Sequence, residues 1–192
     1  MQRVSVANLK VKSTSREADE AFEACFQQYW SRITGVLYRM VGDPDEAEDL
    51  ALETFWQLYR QVQPVQSPTI VNPGGWLYRV AVNLGYNALR SRQRRRRYEG
   101  EAGQVILVDS NSVDPADEVE QIQQRQAVRL VLSRMKKRSA QILILRHAGL
   151  SYVEVAEVLK LQAGSVGKLL ARAEREFAQI YKEGRHEEYP YS

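Results

Sequence analysis

Residues 73–97, PGGWLYRVAVNLGYNALRSRQRRRR, constrain the fold of this chain more than any other segment. A Pro-Gly-Gly break opens the stretch, and six arginines close it within positions 90–97 (Arg90, Arg92, Arg94, Arg95, Arg96 and Arg97). Between them, Leu77, Val80 or Ala81, Leu84 and Ala88 recur at helical spacing and predict an apolar stripe. That stripe must be buried against other helices. The opposite face carries Arg79, Asn83, Tyr86, Asn87 and Arg90. It offers a ring for stacking, amides that match base edges and guanidiniums for phosphates, the side-chain set of a single-strand nucleic-acid platform. A bare arginine run is more commonly a solvated patch. A run continuous with a patterned helix carries more meaning.

The same helical period extends over most of the 192 residues. Phe22, Cys25 or Phe26, Tyr29, Ile33, Val36 or Leu37, and Met40 predict a helix over 18–41, stopped by Gly42-Asp43-Pro44. Ala47, Leu50 or Ala51, Phe55, Leu58 and Val62 predict a second over about 45–62, and Pro64, Pro68 and Pro73 make the next dozen residues a loop. Residues 98–117 have no helical period and read as a flexible linker; VILV at 105–108 is a possible strand with nothing to pair with. Beyond it, helices are predicted over about 117–135, 138–148, 152–160 and 163–182. Ser151 and Glu154 form a capping box at the start of the third of these. The expected architecture is all-α. A polar N-terminus (1–17) precedes a helical module (18–97), and the linker (98–117) leads to a second module (118–183) and a polar tail (184–192).

Charge is segregated rather than large: the net is +3, but 43–53 is acidic, 90–97 basic and 109–120 acidic again. Alternation of this kind points to different partners for different surfaces, nucleic acid being the one for the basic blocks. The acids Asp45, Glu46, Glu48, Asp49 and Glu53 suit the positive end of a helix and read first as a solvated face. The neighbouring Leu50, Phe55 and Trp56 exceed the apolar surface that one buried face needs, so an acid-rimmed docking ridge for a basic protein is the other reading.

Residues 151–175 have the anatomy of a helix-turn-helix, with Val155, Ala156 and Leu159 inward on the first helix and Val166, Leu169 or Leu170, and Ala173 inward on the second. Many antiparallel helix pairs share this spacing. If the segment reads DNA, the N-terminal part of its second helix enters the major groove, and Gln162, Ala163, Ser165, Lys168 and Arg172 are the residues exposed there.

No catalytic constellation emerges. His147 and His186 are far apart and away from the single cysteine, and no glycine-rich phosphate loop occurs, so neither metal nor cofactor is expected. Cys25 reads as a buried thiol. No apolar run approaches the ~20 residues of a membrane span, and the N-terminus lacks the apolar core of a secretory signal, so a cytoplasmic protein is expected.

The order of parts resembles the extracytoplasmic-function (ECF) group of bacterial RNA polymerase sigma factors. The resemblance covers about residues 20–182 and is carried by AEDLALETF (47–55), WLYRVAVN (76–83) and GLSYVEVAEVLKL (149–161). It implies that Asp45, Glu46, Glu48, Asp49, Leu50, Glu53, Thr54 and Phe55 dock on core RNA polymerase, whose largest-subunit clamp and flap are the implied contacts. It further implies that Trp76, Arg79, Asn83, Tyr86, Asn87, Arg90, Arg94 and Arg95 capture the minus-ten strand of promoter DNA. The loop at 63–75 then helps to form a pocket for an extruded base, and the 151–175 motif reads the minus-thirty-five element. An anti-sigma factor is an implied partner.

Several positions depart from the family pattern. Gly167 and Leu169 stand where the family usually has Lys and Arg, Lys160 replaces a turn glycine, and MKKRSAQ replaces an opening Leu-Pro. If the turn needs a left-handed residue, Lys160 costs it about 1 kcal/mol, and weaker or altered upstream-element recognition is expected. The alternative class is a stand-alone helix-turn-helix regulator, which needs neither an acidic docking helix nor a strand-capturing face. Both are present.

Overall fold

The computed structural model describes residues 15–62, 70–98 and 115–188. They form seven helices: α1 (Ser15–Val41), α2 (Pro44–Val62), α3 (Pro73–Tyr98), α4 (Pro115–Arg134), α5 (Lys137–His147), α6 (Tyr152–Leu159) and α7 (Ala163–Glu188). No strand occurs among the described residues, and VILV falls outside them.

The helix boundaries follow local chemistry. Gly42 takes φ +75°, and Asp43 then caps α2 by accepting the Glu46 amide at 2.9 Å. Asn72 does the same for α3, accepting from the Gly75 amide at 2.7 Å. The capping box at α6 is complete in both directions, the Ser151 amide donating to Glu154 Oε2 at 2.7 Å and the Glu154 amide to Ser151 Oγ at 3.3 Å. Lys160 ends α6 in the left-handed conformation, φ 53° and ψ 55°, so this turn does need the left-handed residue that a glycine would supply without strain. At α5 the cap comes from another helix. Glu176 of α7 accepts the Lys136 amide and the Ser139 hydroxyl, each at 2.7 Å, which puts a carboxylate at the positive end of α5.

In the first module α1, α2 and α3 pack mutually around Ile33, Leu37, Met40, Ala51, Phe55, Leu58, Leu77 and Ala81. An aromatic cluster extends this core, with Phe55 4.8 Å from Phe26 and 5.8 Å from Trp30 between ring centroids. In the second module α7 spans α4, α5 and α6. The two modules do not stand apart. α3 packs on α4, α5 and α6 as well as on α1 and α2, and one continuous core runs through both modules.

This double contact corrects the stripe expected on α3. Leu77 and Ala81 are buried as expected, but Val80, Leu84 and Ala88 are only half-buried, while Tyr78, Val82, Gly85, Tyr86 and Leu89 are buried. A helix covered on two sides buries more than one stripe.

Candidate nucleic-acid interface

Arg79, Asn83 and Tyr86 lie at i, i+4 and i+7, one line along α3. Arg79 Nε donates to the Val158 carbonyl at 2.6 Å and Nη2 to the Glu157 carbonyl at 3.0 Å. With Arg138 Nη1 on the Leu159 carbonyl at 3.2 Å, a guanidinium from α3 and one from α5 satisfy the C-terminal end of α6. Asn83 Oδ1 accepts from Gln141 Nε2 of α5 at 2.8 Å. Tyr86 is 2% exposed and donates its hydroxyl proton to the Met135 carbonyl, just after α4, at 2.7 Å. The sequence pattern puts these three on an outward polar face. In this structure that face is turned into the second module, and Tyr86 is a core residue.

The rest of the expected strand-facing set divides in two. Trp76 is half-buried, while Asn87, Arg90, Arg94 and Arg95 are exposed. Arg92, one of the six arginines of the run, serves the fold instead. Its Nη2 lies 2.5 Å from Glu46 Oε2 and 3.8 Å from Asp43 Oδ2, and its Nη1 donates to the Val41 carbonyl at 2.8 Å. Of the loop at 63–75, residues 63–69 lie outside the described residues; Val71 is 71% exposed.

On α2, Asp45, Glu48, Asp49 and Glu53 are exposed, and Glu46 and Leu50 are half-buried. Thr54 and Phe55 correct the expected docking set. Thr54 is fully buried with its hydroxyl on the Leu50 carbonyl at 2.7 Å, and Phe55 is in the aromatic core, so neither presents surface. The exposed apolar residues of this helix are Leu52 (53%) and Trp56 (55%), one turn apart, with Trp56 stacked on Tyr59. The sequence carries a signal for them, since Leu52 and Trp56 stand at i and i+4, off the buried line Ala47–Ala51–Phe55–Leu58.

In the turn before α7 Gln162 is exposed, and on α7 Ala163, Lys168 and Arg172 are exposed and Ser165 is half-buried, its hydroxyl turned back to the Gln162 carbonyl at 2.7 Å. Val155, Ala156 and Val158 face Val166 and Ala173 in the buried layer between α6 and α7. Tyr152 stands exposed at the start of α6 with the Arg146 guanidinium 4.9 Å over its ring. Cys25 is a buried thiol, pushed up to about 11 by desolvation; burial also raises the phenols of Tyr29 and Tyr78. No group of three or more His, Cys, Asp or Glu among the described residues is arranged to hold a metal ion, and no described helix is long and apolar enough to cross a membrane.

Comparison with known proteins finds relatives in sequence and in fold. Residues 25–95, which hold α2 and nearly all of α3, match the sigma-70 region 2 family. An RNA polymerase sigma-H factor of Pseudomonas aeruginosa is 30% identical over 85% of this chain and 87% of its own length. The ECF RNA polymerase sigma factor SigW of Bacillus subtilis is 25% identical over 82% of this chain and 87% of its own. Among solved structures, CnrH in complex with the cytosolic domain of CnrY shares the fold at a TM-score of 0.54 and 16% identity, covering 88% of this chain and 94% of that one. The sigma factor RpoE in complex with the anti-sigma factor NepR, from Bartonella quintana, does so at 0.50 and 17%, covering 85% and 98%. With an acidic helix that exposes Leu52 and Trp56, an arginine-tailed α3 and a helix-turn-helix behind them, the chain belongs to the ECF group of RNA polymerase sigma factors.

Proposed function

We propose that this chain works in the cytoplasm as an alternative, non-enzymatic sigma factor whose surfaces divide the labour of initiation. The exposed acids of α2, with Leu52 and Trp56 between them, dock on core RNA polymerase. The apolar pair supplies area that loses water on docking, and the acids steer a basic partner surface. The line Arg79–Asn83–Tyr86, with Asn87 beside it, holds the unpaired minus-ten strand. Arg90, Arg94 and Arg95 neutralise its phosphates. Extruding a base costs a few kcal/mol, which stacking and amide contacts must offset. The start of α7 reads the minus-thirty-five element, and an anti-sigma factor restrains the whole.

The observation that carries this reading is the match of residues 25–95 to sigma-70 region 2, because that span holds both the acidic ridge and the amide-bearing face of α3. A stand-alone helix-turn-helix regulator leaves the span without a task. The test mixes the protein with core polymerase and follows promoter opening with a fluorescent base in the minus-ten region. Opening at its own promoters is expected, and Asn83→Ala should impair opening while leaving core binding intact. Absence of both core binding and opening at every mapped promoter would sink the reading.

A further inference from the structure

The Pro-Gly-Gly break that opens α3 builds more than a helix start. A Cβ on Gly74 would lie 2.5 Å from the Tyr29 hydroxyl oxygen, so a side chain there would push the phenol aside. With glycine in place, Tyr29 of α1 reaches the first turn of α3, and the two helices form one wall of a cleft of about 420 Å³. Gly149, Leu150 and Glu154, at the corner between α5 and α6, form the other. Arg79, Asn83 and Tyr86 do not line this cleft, so it is separate from the strand-facing line.

We infer that the cleft binds a nucleotide carrying at least two phosphates, held by Arg32 and Arg39 of α1 and by the hydroxyls of Tyr29 and Tyr78.

Arg32 and Arg39 are exposed, line the cleft and stand two turns apart on α1, about 10 Å along its axis. Among the described residues neither has a hydrogen-bond or ion-pair partner. Arg79, Arg92 and Arg138, by contrast, all end on backbone carbonyls. Two solvated arginines would mean little by themselves. Tyr78 supplies the second observation. It is 9% exposed and lines the cleft, yet its hydroxyl has no hydrogen-bond partner among the described residues. A buried tyrosine normally finds one. Besides burial, which dominates its titration, this hydroxyl feels Arg32, Tyr29, Glu154 and Arg39, so those four groups surround it.

The two walls set the class of ligand. On the α1–α3 side, two guanidiniums with five N–H donors each, two phenols and the positive end of α3 call for a group rich in acceptor oxygens. Phosphate matches the planar fork of each guanidinium, and arginines about 10 Å apart reach more than one phosphate. On the α6 side Glu154, which accepts the Ser151 amide, repels phosphate and favours a hydroxyl or amino group. Val36, Leu150 and Val158 add apolar lining. The volume lies within the range of small-molecule sites, and inorganic phosphate would leave most of it empty. Phosphates at one end and sugar or base donors at the other satisfy both walls.

The test is calorimetric titration of the full chain with ADP, GDP, CDP and UDP, with pyrophosphate and sulfate at matched ionic strength as controls. Three variants accompany the unaltered protein. Arg32→Gln with Arg39→Gln removes the guanidiniums, and Tyr78→Phe removes one hydroxyl. Arg94→Gln with Arg95→Gln takes the same charge from the exposed tail of α3, where any polyanion can bind. Amide chemical shifts of Gly74 and Gly149 report the two walls.

At least one nucleotide should bind at least about tenfold more tightly than pyrophosphate and shift both glycines. The Arg32–Arg39 pair of substitutions should weaken it at least about tenfold and Tyr78→Phe at least about threefold, both at unchanged Tm, while the tail pair changes it less than about twofold. No nucleotide binding tighter than sulfate overturns the site. Equal weakening by the two arginine pairs, or shifts confined to the α3 tail, also overturns it, since charge alone then accounts for the binding.

Discussion

Arg92, near the end of α3, closes on Glu46 in the first turn of α2 at 2.5 Å and on the Val41 carbonyl that ends α1 at 2.8 Å. One side chain thus joins the three helices of the first module where α1 stops and α2 begins. Both partners of the ion pair are about a third exposed, so solvent screens it and the pair adds little beyond the charged hydrogen bond. Arg92→Ala should therefore cost about 1 kcal/mol, lowering Tm by about 2–4 °C. Arg94→Ala, at an exposed neighbour, should leave Tm unchanged and instead reduce the salt dependence of DNA binding by about one unit of slope. Equal thermal shifts for the two variants would refute this division of the arginine run.

A similar division applies to α2. Phe55→Ala removes a ring packed against Phe26 and Trp30 and should cost about 3–5 kcal/mol, with polymerase binding lost only as the module unfolds. Leu52→Ala and Trp56→Ala touch exposed side chains, so each should change stability by less than about 0.5 kcal/mol while weakening association with core polymerase. Chemical denaturation alongside a polymerase pull-down separates the two cases. Loss of binding by Phe55→Ala at a temperature where it is still folded would return Phe55 to the docking surface.

The contrast between Phe55 and Leu52 shows what periodicity could and could not reveal. All seven helices and the capping box at Ser151 were legible, because each is fixed by neighbours within a turn or two. Burial on α3 was not. Its pattern offers an apolar stripe and a polar face, and nothing local says that the polar face will meet a second module. Tyr86 is the clearest instance: an aromatic with a hydroxyl suits both an exposed stacking platform and a core position with one carbonyl to satisfy. Thr54, placed in the docking set by the family resemblance alone, is a related case, since its bond to the Leu50 carbonyl is a helix-internal option invisible to composition. Long-range partners such as Gln141 for Asn83, 58 residues away, leave no signal in a single sequence.

Cys25 gives a prediction in pH. Desolvation pushes its thiol up to about 11 from 9.0, so the folded state favours the neutral form. A raised pKa contributes stability that is complete below the unfolded value and is lost as pH rises through the folded one. Stability should accordingly be flat up to about pH 9 and fall between about pH 9 and 11, with the raised phenols of Tyr29 and Tyr78 adding to the fall at its upper end. Cys25→Ala should lose the component that sets in near pH 9 and keep the tyrosine component. Alkylation gives an independent check: two pH units of displacement mean about 100-fold less thiolate at pH 8 than for a free cysteine, and a rate lower by at least that factor. Rapid labelling of the folded protein at pH 8 would contradict the buried, neutral thiol.

Gly167 is the departure from the family pattern whose effect can be isolated. It lies in the second turn of α7, where a Cβ would meet only Tyr152 Cε2 at 3.6 Å, an ordinary contact distance, and its φ is not in the left-handed region. Packing therefore does not demand a glycine here. What the glycine forgoes is helix propensity, worth about 0.5–1 kcal/mol relative to most residues, and a side chain beside the exposed Lys168. Both Gly167→Ala and Gly167→Lys should raise Tm, by about 2 °C. Only the lysine variant should tighten binding to duplex from the minus-thirty-five region and steepen its salt dependence by about one unit. Anisotropy titrations from low to moderate salt, run on both variants, read the difference. A lysine variant that gains no more slope than the alanine one would mean that this turn of α7 does not face the phosphate backbone, and that the groove-facing residues must be sought elsewhere on the helix.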